Sequence, residues 1–193
     1  VAGVISNQGI NILLNVFFGP IVNTARGIAY QVNSSINQFV MGFTTAVNPQ
    51  IIKYYAKGET KQMLSLVFKS SKYSYFLILM LSIPILLETH YILELWLKIV
   101  PDYVVFFTRL VIINALIDSS SYSLQTLAQA TGRIKAYQSI VGGMMLLNLP
   151  ISFFLLNLGF LPEVTFYVAI FVSIVCFFLR LFMLKSMVDF PII

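Results

Sequence analysis

Residues 21–52 read IVNTARGIAYQVNSSINQFVMGFTTAVNPQII. Within this stretch Asn23, Arg26, Tyr30, Asn33, Asn37, Thr44 and Asn48 recur at steps of three, four, three, four, seven and four. That rhythm marks one face of an α-helix. The ground between these residues is largely apolar or small, so the segment reads as a long helix with a polar stripe. In lipid, such a stripe belongs toward a bundle interior or a wet cavity. The fold class that follows is an all-α integral membrane protein.

Composition supports the same class. Of the 193 residues, 59% are apolar and 10% charged, and the mean hydropathy is +0.89. A soluble domain carries about 25% charged residues. An ordinary soluble fold, a disordered tail and a nucleic-acid binder are thereby excluded, and no nucleic-acid partner is expected. The aromatic share of 15% excludes a low-complexity chain. One cysteine, Cys176, leaves no intrachain disulfide to form. The chain begins at Val1 inside an apolar stretch, without a Met or a signal peptide. It reads as an internal piece of a longer protein.

A spanning helix needs about 20 apolar residues. Cutting at charge clusters and at Gly/Pro punctuation predicts six spans: about 2–18, 21–52, 64–87, 102–130, 136–158 and 163–185. They are expected to form one six-helix bundle over 1–193. The second and fourth exceed what a bilayer needs, so they tilt or protrude. Pro84 and Pro150 are expected to kink their helices, and Gly142-Gly143 predicts a close helix approach.

If six spans alternate, nine of the twelve basic residues share one side: Lys53, Lys57, Lys61, Lys69, Lys72, Arg133, Lys135, Arg180 and Lys185. Glu88, Glu94, Asp102 and Glu163 share the other. The basic side is predicted to be cytoplasmic, with both ends of the segment there. The net charge of +5 then records orientation. The segment from Lys53 to Lys72 also suits anionic lipid headgroups.

Polar residues inside spans are the candidate site. The first span carries Asn7, Asn11 and Asn15 on one face. The fourth carries Asn114, Asp118, Ser121, Tyr122, Gln125 and Gln129 at helical spacing. Spans one, two and four are therefore expected to line a polar pathway, with spans three, five and six as lipid-facing support. The competing reading is that these amides only tie helices together. The substrate-cavity candidates are Asn7, Asn11, Asn15, Asn23, Arg26, Tyr30, Asn33, Asn37, Arg109, Asp118, Tyr122 and Gln125. Asp118, deep in its span, is either a proton- or cation-coupling group or a structural hydrogen-bonded carboxylate. Arg26 and Arg109 suit an anionic substrate, a headgroup anchor or an interhelical salt bridge.

Soluble chemistry has no motif here. His90 is the only histidine, so a metal site is not expected. No phosphate-binding loop and no nucleophile–base pair occur, and no enzymatic activity or cofactor is predicted. Asn33-Ser34-Ser35 matches a glycosylation sequon but lies inside a span.

The opening segment holds Asn7-Gln8-Gly9, Asn11-Ile12-Leu13-Leu14-Asn15, Phe17-Phe18-Gly19-Pro20, Asn23, Ala25-Arg26-Gly27-Ile28-Ala29 and Gln31-Val32-Asn33, followed by Asn48-Pro49-Gln50-Ile51. Further on come Leu95-Trp96-Leu97-Lys98, Val100-Pro101-Asp102-Tyr103 and Ala130-Thr131-Gly132-Arg133-Ile134-Lys135. Over essentially its whole length the chain resembles bacterial polysaccharide flippases for O-antigen or capsule repeat units. These belong to the multidrug and oligosaccharidyl-lipid exporter superfamily. The resemblance implies one lobe, the C-terminal one, of a MATE-like two-lobe transporter in the bacterial inner membrane. It implies alternating access around a cavity between lobes, with an undecaprenyl-diphosphate-linked oligosaccharide as substrate. The implied partners are the missing N-terminal lobe, membrane lipids and polysaccharide polymerase machinery, with H+ or Na+ as a possible coupling ion.

Two alternatives stay open: a cation-coupled drug or metabolite antiporter of the same superfamily, and a non-transporting membrane scaffold or enzyme subunit. Cationic substrates want acidic groups, and only Asp118 sits deep in a span, against Arg26 and Arg109.

Overall fold

The computed structural model describes residues 2–188. Eight helices follow in order: α1 (Ala2–Phe18), α2 (Pro20–Ala56), α3 (Thr60–Leu87), α4 (Thr89–Leu97), α5 (Val104–Ser119), α6 (Tyr122–Ala130), α7 (Ile134–Asn157) and α8 (Val164–Val188). No strand occurs among the described residues.

Three apolar clusters order the bundle along its length. One gathers Ile51, Met63, Val67, Leu127, Tyr137 and Leu184, where α2, α6 and α8 end and α3 and α7 begin. Another gathers Leu14, Val22, Leu93, Phe107, Leu156 and Phe166, around the turns at the opposite end. Ile36, Val40, Ile78 and Ile112 lie between them. The chain therefore runs back and forth between two ends. Lys53, Lys57, Lys61, Lys69, Lys72, Arg133, Lys135 and Lys185 are all exposed, at or toward the first end. Glu88, Glu94, Asp102 and Glu163 belong to the other.

Four segments are long and apolar enough to cross a membrane: Thr60–Leu87, Val104–Ala130, Ile134–Asn157 and Val164–Val188. Large apolar side chains cover their outer surfaces, among them Phe76 and Met80 on α3, Phe154 on α7, and Phe171 and Phe182 on α8. With four helices long enough to span, such a surface suits lipid. The chain is a membrane protein. The first two expected spans differ from these four. Helix α1 has 17 residues and starts beside Gly142, part-way along α7. Helix α2 has 37 residues, about 55 Å at ~1.5 Å per residue. Its polar residues keep it below the apolarity of the others.

Two expected boundaries change. The expected fourth span is two helices, broken at Ser120-Ser121. The Ser119 hydroxyl donates back to Leu116 O at 2.7 Å, the local competition by which serines interrupt helices. Between the third and fourth spans lies the additional helix α4. It buries Thr89 and Leu93 and exposes Tyr91, Leu95 and Trp96, the pattern of a helix lying at a membrane interface. Helices α2, α3 and α7 continue through Pro49, Pro84 and Pro150.

The close approach between α1 and α7 occurs chiefly at Gly9, where a Cβ would overlap the Leu149 side chain. Of the expected pair, Gly142 contributes, with Ala2 Cβ at van der Waals distance, and Gly143 faces open space.

Candidate functional site

A cleft of about 330 Å³ lies at mid-depth, lined by α1, α2, α5, α7 and α8. Its α1 and α2 walls present Ser6, Asn7, Tyr30 and Asn33. Across from them stand Asn114 and Asp118 of α5, Asn148 of α7 and Ser173 of α8. The break at Ser120-Ser121 leaves Asp118 in the last turn of α5. Its carboxylate accepts from Asn114 Nδ2 at 3.0 Å. No cationic side chain lies within ion-pair distance among the described residues, whose ion pairs are Lys57–Glu59 and His90–Glu94.

Arg26 stands beside this cavity and is only 5% exposed. Its Nη2 donates to Asn7 Oδ1 at 2.9 Å, and its Nη1 donates to Asn11 Oδ1. The guanidinium lies 4.5 Å from the centre of the Tyr30 ring. Thus two amide oxygens and an aromatic face hold a buried cation that has no carboxylate partner among the described residues. Such a group keeps electrostatic capacity for an anion.

Nearer the basic end, α2 is tied to α6. The Tyr122 hydroxyl donates to Asn37 Oδ1 at 2.8 Å, and Asn37 Nδ2 donates to Asn33 Oδ1 at 2.8 Å. Thr126 Oγ1 donates to Asn48 Oδ1 at 2.9 Å. Thr44 returns its hydroxyl to the helix backbone at Val40 O. One stripe therefore does two jobs: at Tyr30 and Asn33 it lines the cavity, with Arg26 beside it, and from Asn37 onward it ties helices together.

The remaining candidates lie apart. Asn15 is exposed on α1, and Asn23 is half-buried with an unpartnered Oδ1. Gln125 is half-buried on α6 and does not line the cavity. Arg109 is exposed, and its Nε donates to Thr89 Oγ1 of α4 at 3.1 Å. Arg26 and Arg109 share no hydrogen-bond partner.

Three findings bear on the expectations. First, the α2 stripe read from sequence is largely interior, one of the two settings expected for it. The exposed polar face is the neighbouring one: Thr24, Gln31, Ser34, Gln38 and Thr45. Thr24 and Thr45 satisfy their hydroxyls on their own backbone, but neither Gln31 nor Gln38 has a side-chain partner among the described residues. Second, α7 and α8 are more than lipid-facing support, since Asn148 and Ser173 complete the cavity. Third, Arg180 is not an exposed basic residue: it is buried between Cys176 and Leu184, within the apolar cluster of the basic end. It is 6% exposed and its Nε is unpartnered. Sequence reasoning missed it because it lies near the end of an apolar helix, where basic residues usually mark orientation. The available signal was its i, i+4 spacing from the interior Cys176.

No group of three or more His, Cys, Asp or Glu fit to hold a metal occurs among the described residues. No protein-family model matches the chain, and neither a curated protein nor a solved structure matches it.

Proposed function

We propose that this chain is one lobe of a two-lobe, MATE-like transporter that moves undecaprenyl-diphosphate-linked oligosaccharide repeat units across the bacterial inner membrane by alternating access. The observation that carries the reading is the exposed amide face of α2, with Gln31 and Gln38 set on a molecule otherwise coated in large apolar side chains. Unpartnered amides do not belong against lipid, where each unsatisfied polar group costs several kcal/mol. They belong against a wet cavity or a second lobe. Exposed Asn7, Gln8 and Asn15 on the adjoining α1 extend the polar area. Amides both donate and accept, which suits sugar hydroxyls. Arg26, a buried cation without a carboxylate, supports the anionic half of the substrate.

In this reading α1 and α2 join the four apolar segments as spans five and six. Helix α2 is sheltered from lipid on its polar sides, so it need not be uniformly apolar. The basic end is cytoplasmic, on eight exposed basic residues once Arg180 is removed from the expected nine.

Asp118 favours a second reading, cation-coupled antiport. It faces the cavity without a cationic partner in ion-pair distance, at the C-terminal end of α5, where the helix dipole also attracts positive charge.

Two measurements test the proposal. Full-length protein with a single cysteine at Gln31 or Gln38 should react with a membrane-impermeant maleimide, whereas one at Phe171 should not. Equal protection of all three would place α2 in lipid and remove the pathway. Proteoliposomes should then translocate a lipid-linked oligosaccharide; movement of organic cations in its place would favour antiport.

A further inference from the structure

At the basic end, the last turn of α2 and the first turns of α3 frame an open groove of about 410 Å³. Tyr54 of α2 and Lys61, Gln62, Ser65 and Lys69 of α3 line it, and no carboxylate does. Each of these side chains carries N–H or O–H donors. None of them has a side-chain hydrogen-bond or ion-pair partner among the described residues. Glu59, the acidic residue of the α2–α3 turn, stands 4.0 Å from Lys57 Nζ instead. Two ammonium groups and three neutral donors along an acid-free wall call for an anion rich in acceptor oxygens.

We infer that this groove binds the phosphodiester of an anionic glycerophospholipid. The helix that bears the lysines decides for lipid over a soluble anion. Lys61, Ser65, Lys69 and Lys72 step by four, four and three along α3, and all are exposed. Phe76, Met80, Ile83 and Leu87 continue the same stripe at four, four, three and four, and are exposed too. A charged half and an apolar half therefore share one outward face, the same division a phospholipid carries. They meet where Lys72 Nζ lies 5.9 Å from the centre of the Phe76 ring. The depth agrees. From Lys69 to Leu87 is about 27 Å of helix at ~1.5 Å per residue, close to the ~30 Å of a bilayer's hydrocarbon core. With the apolar half in hydrocarbon, Lys69 stands at headgroup level and Lys61 toward water. Lysines so placed favour anionic over zwitterionic lipid. The acyl chains would lie along Phe76 and Met80.

The test uses delipidated full-length protein in detergent, with melting temperature as the readout. It is titrated separately with phosphatidylglycerol, phosphatidylcholine and glycerophosphoglycerol, the first lipid's headgroup without acyl chains. Phosphatidylglycerol should stabilise at the lowest concentration. Lys61→Gln combined with Lys69→Gln, both at exposed positions, should raise the concentration for half that response about thirtyfold, with the phosphatidylcholine response unchanged. Arg133→Gln combined with Lys135→Gln removes the same charge from the same end, outside the groove, and should leave the phosphatidylglycerol response as in wild type. Equal responses to the two lipids, or a preference that survives Lys61→Gln with Lys69→Gln, would overturn the assignment. Equal losses in the two double variants would also overturn it, since net charge alone would then set the preference. So would glycerophosphoglycerol matching the lipid, the result for a soluble-anion site.

Discussion

Arg26 and Asn7 are nineteen residues apart in the chain, yet the Arg26 Nη2 donates to Asn7 Oδ1 at 2.9 Å and clamps α1 onto α2 beside the central cavity. A second amide, Asn11 Oδ1, takes Nη1, so the planar fork of arginine is used on two acceptors one helical turn apart.

Arg26→Lys should therefore not be conservative. It keeps the charge and loses the fork. We expect about 1–2 kcal/mol of destabilisation for Arg26→Lys and about 2–3 kcal/mol for Arg26→Ala, which strands two amide oxygens and empties the Tyr30 face. Thermal unfolding in detergent measures both. If Arg26 also meets the substrate's diphosphate, transport falls in Arg26→Lys by more than the stability loss accounts for. Wild-type surface polysaccharide in cells carrying Arg26→Ala would count against the anion site.

Tyr122→Phe should cost about 1 kcal/mol, because it deletes the bond to Asn37 while Asn37 keeps its bond to Asn33. A double-mutant cycle with Asn37→Ala isolates the coupling. A coupling energy near zero would mean that α2 and α6 are held here by apolar packing alone.

Helix α1 approaches α7 through Gly9, so Gly9→Leu should wedge the two apart, at about 1–3 kcal/mol. Gly143→Ala faces open space inside α7 and should keep or slightly raise the melting temperature. The reverse order of effects would contradict the α1–α7 packing.

Asp118→Asn retains a group that can still pair with Asn114 and removes the charge from the cavity. Folding should survive. If the carboxylate couples transport to a cation, the dependence of flux on pH or Na+ disappears in Asp118→Asn; a profile superimposable on wild type leaves Asp118 a structural role only.

Orientation is open to labelling because the native cysteine, Cys176, is 1% exposed and gives little background. Cysteines at Lys57 and Arg133 should be modified from one side of the membrane, and a cysteine at Lys98 from the other. Labelling of Lys57→Cys from the periplasmic side would invert the proposed topology.

The sequence by itself determined the solvent, the helical class and where most helices run. These are local properties. Apolar run length, Gly19-Pro20 and the charge clusters act on the chain within a few residues, so α1 and α7 lie close to where the residues put them. It also identified Asn7, Arg26, Tyr30, Asn33 and Asp118, because polar groups in an apolar ground are visible without coordinates. Rotation and partnership belong to the tertiary structure. Thr24 and Asn23 are neighbours on α2, about 100° apart around the helix, and only packing against α3, α5 and α6 decides which face turns out. The same packing buries Arg180, sends Arg109 to Thr89, and brings α7 and α8 to the cavity. A helix periodicity says that residues share a face; it carries no information about what that face meets.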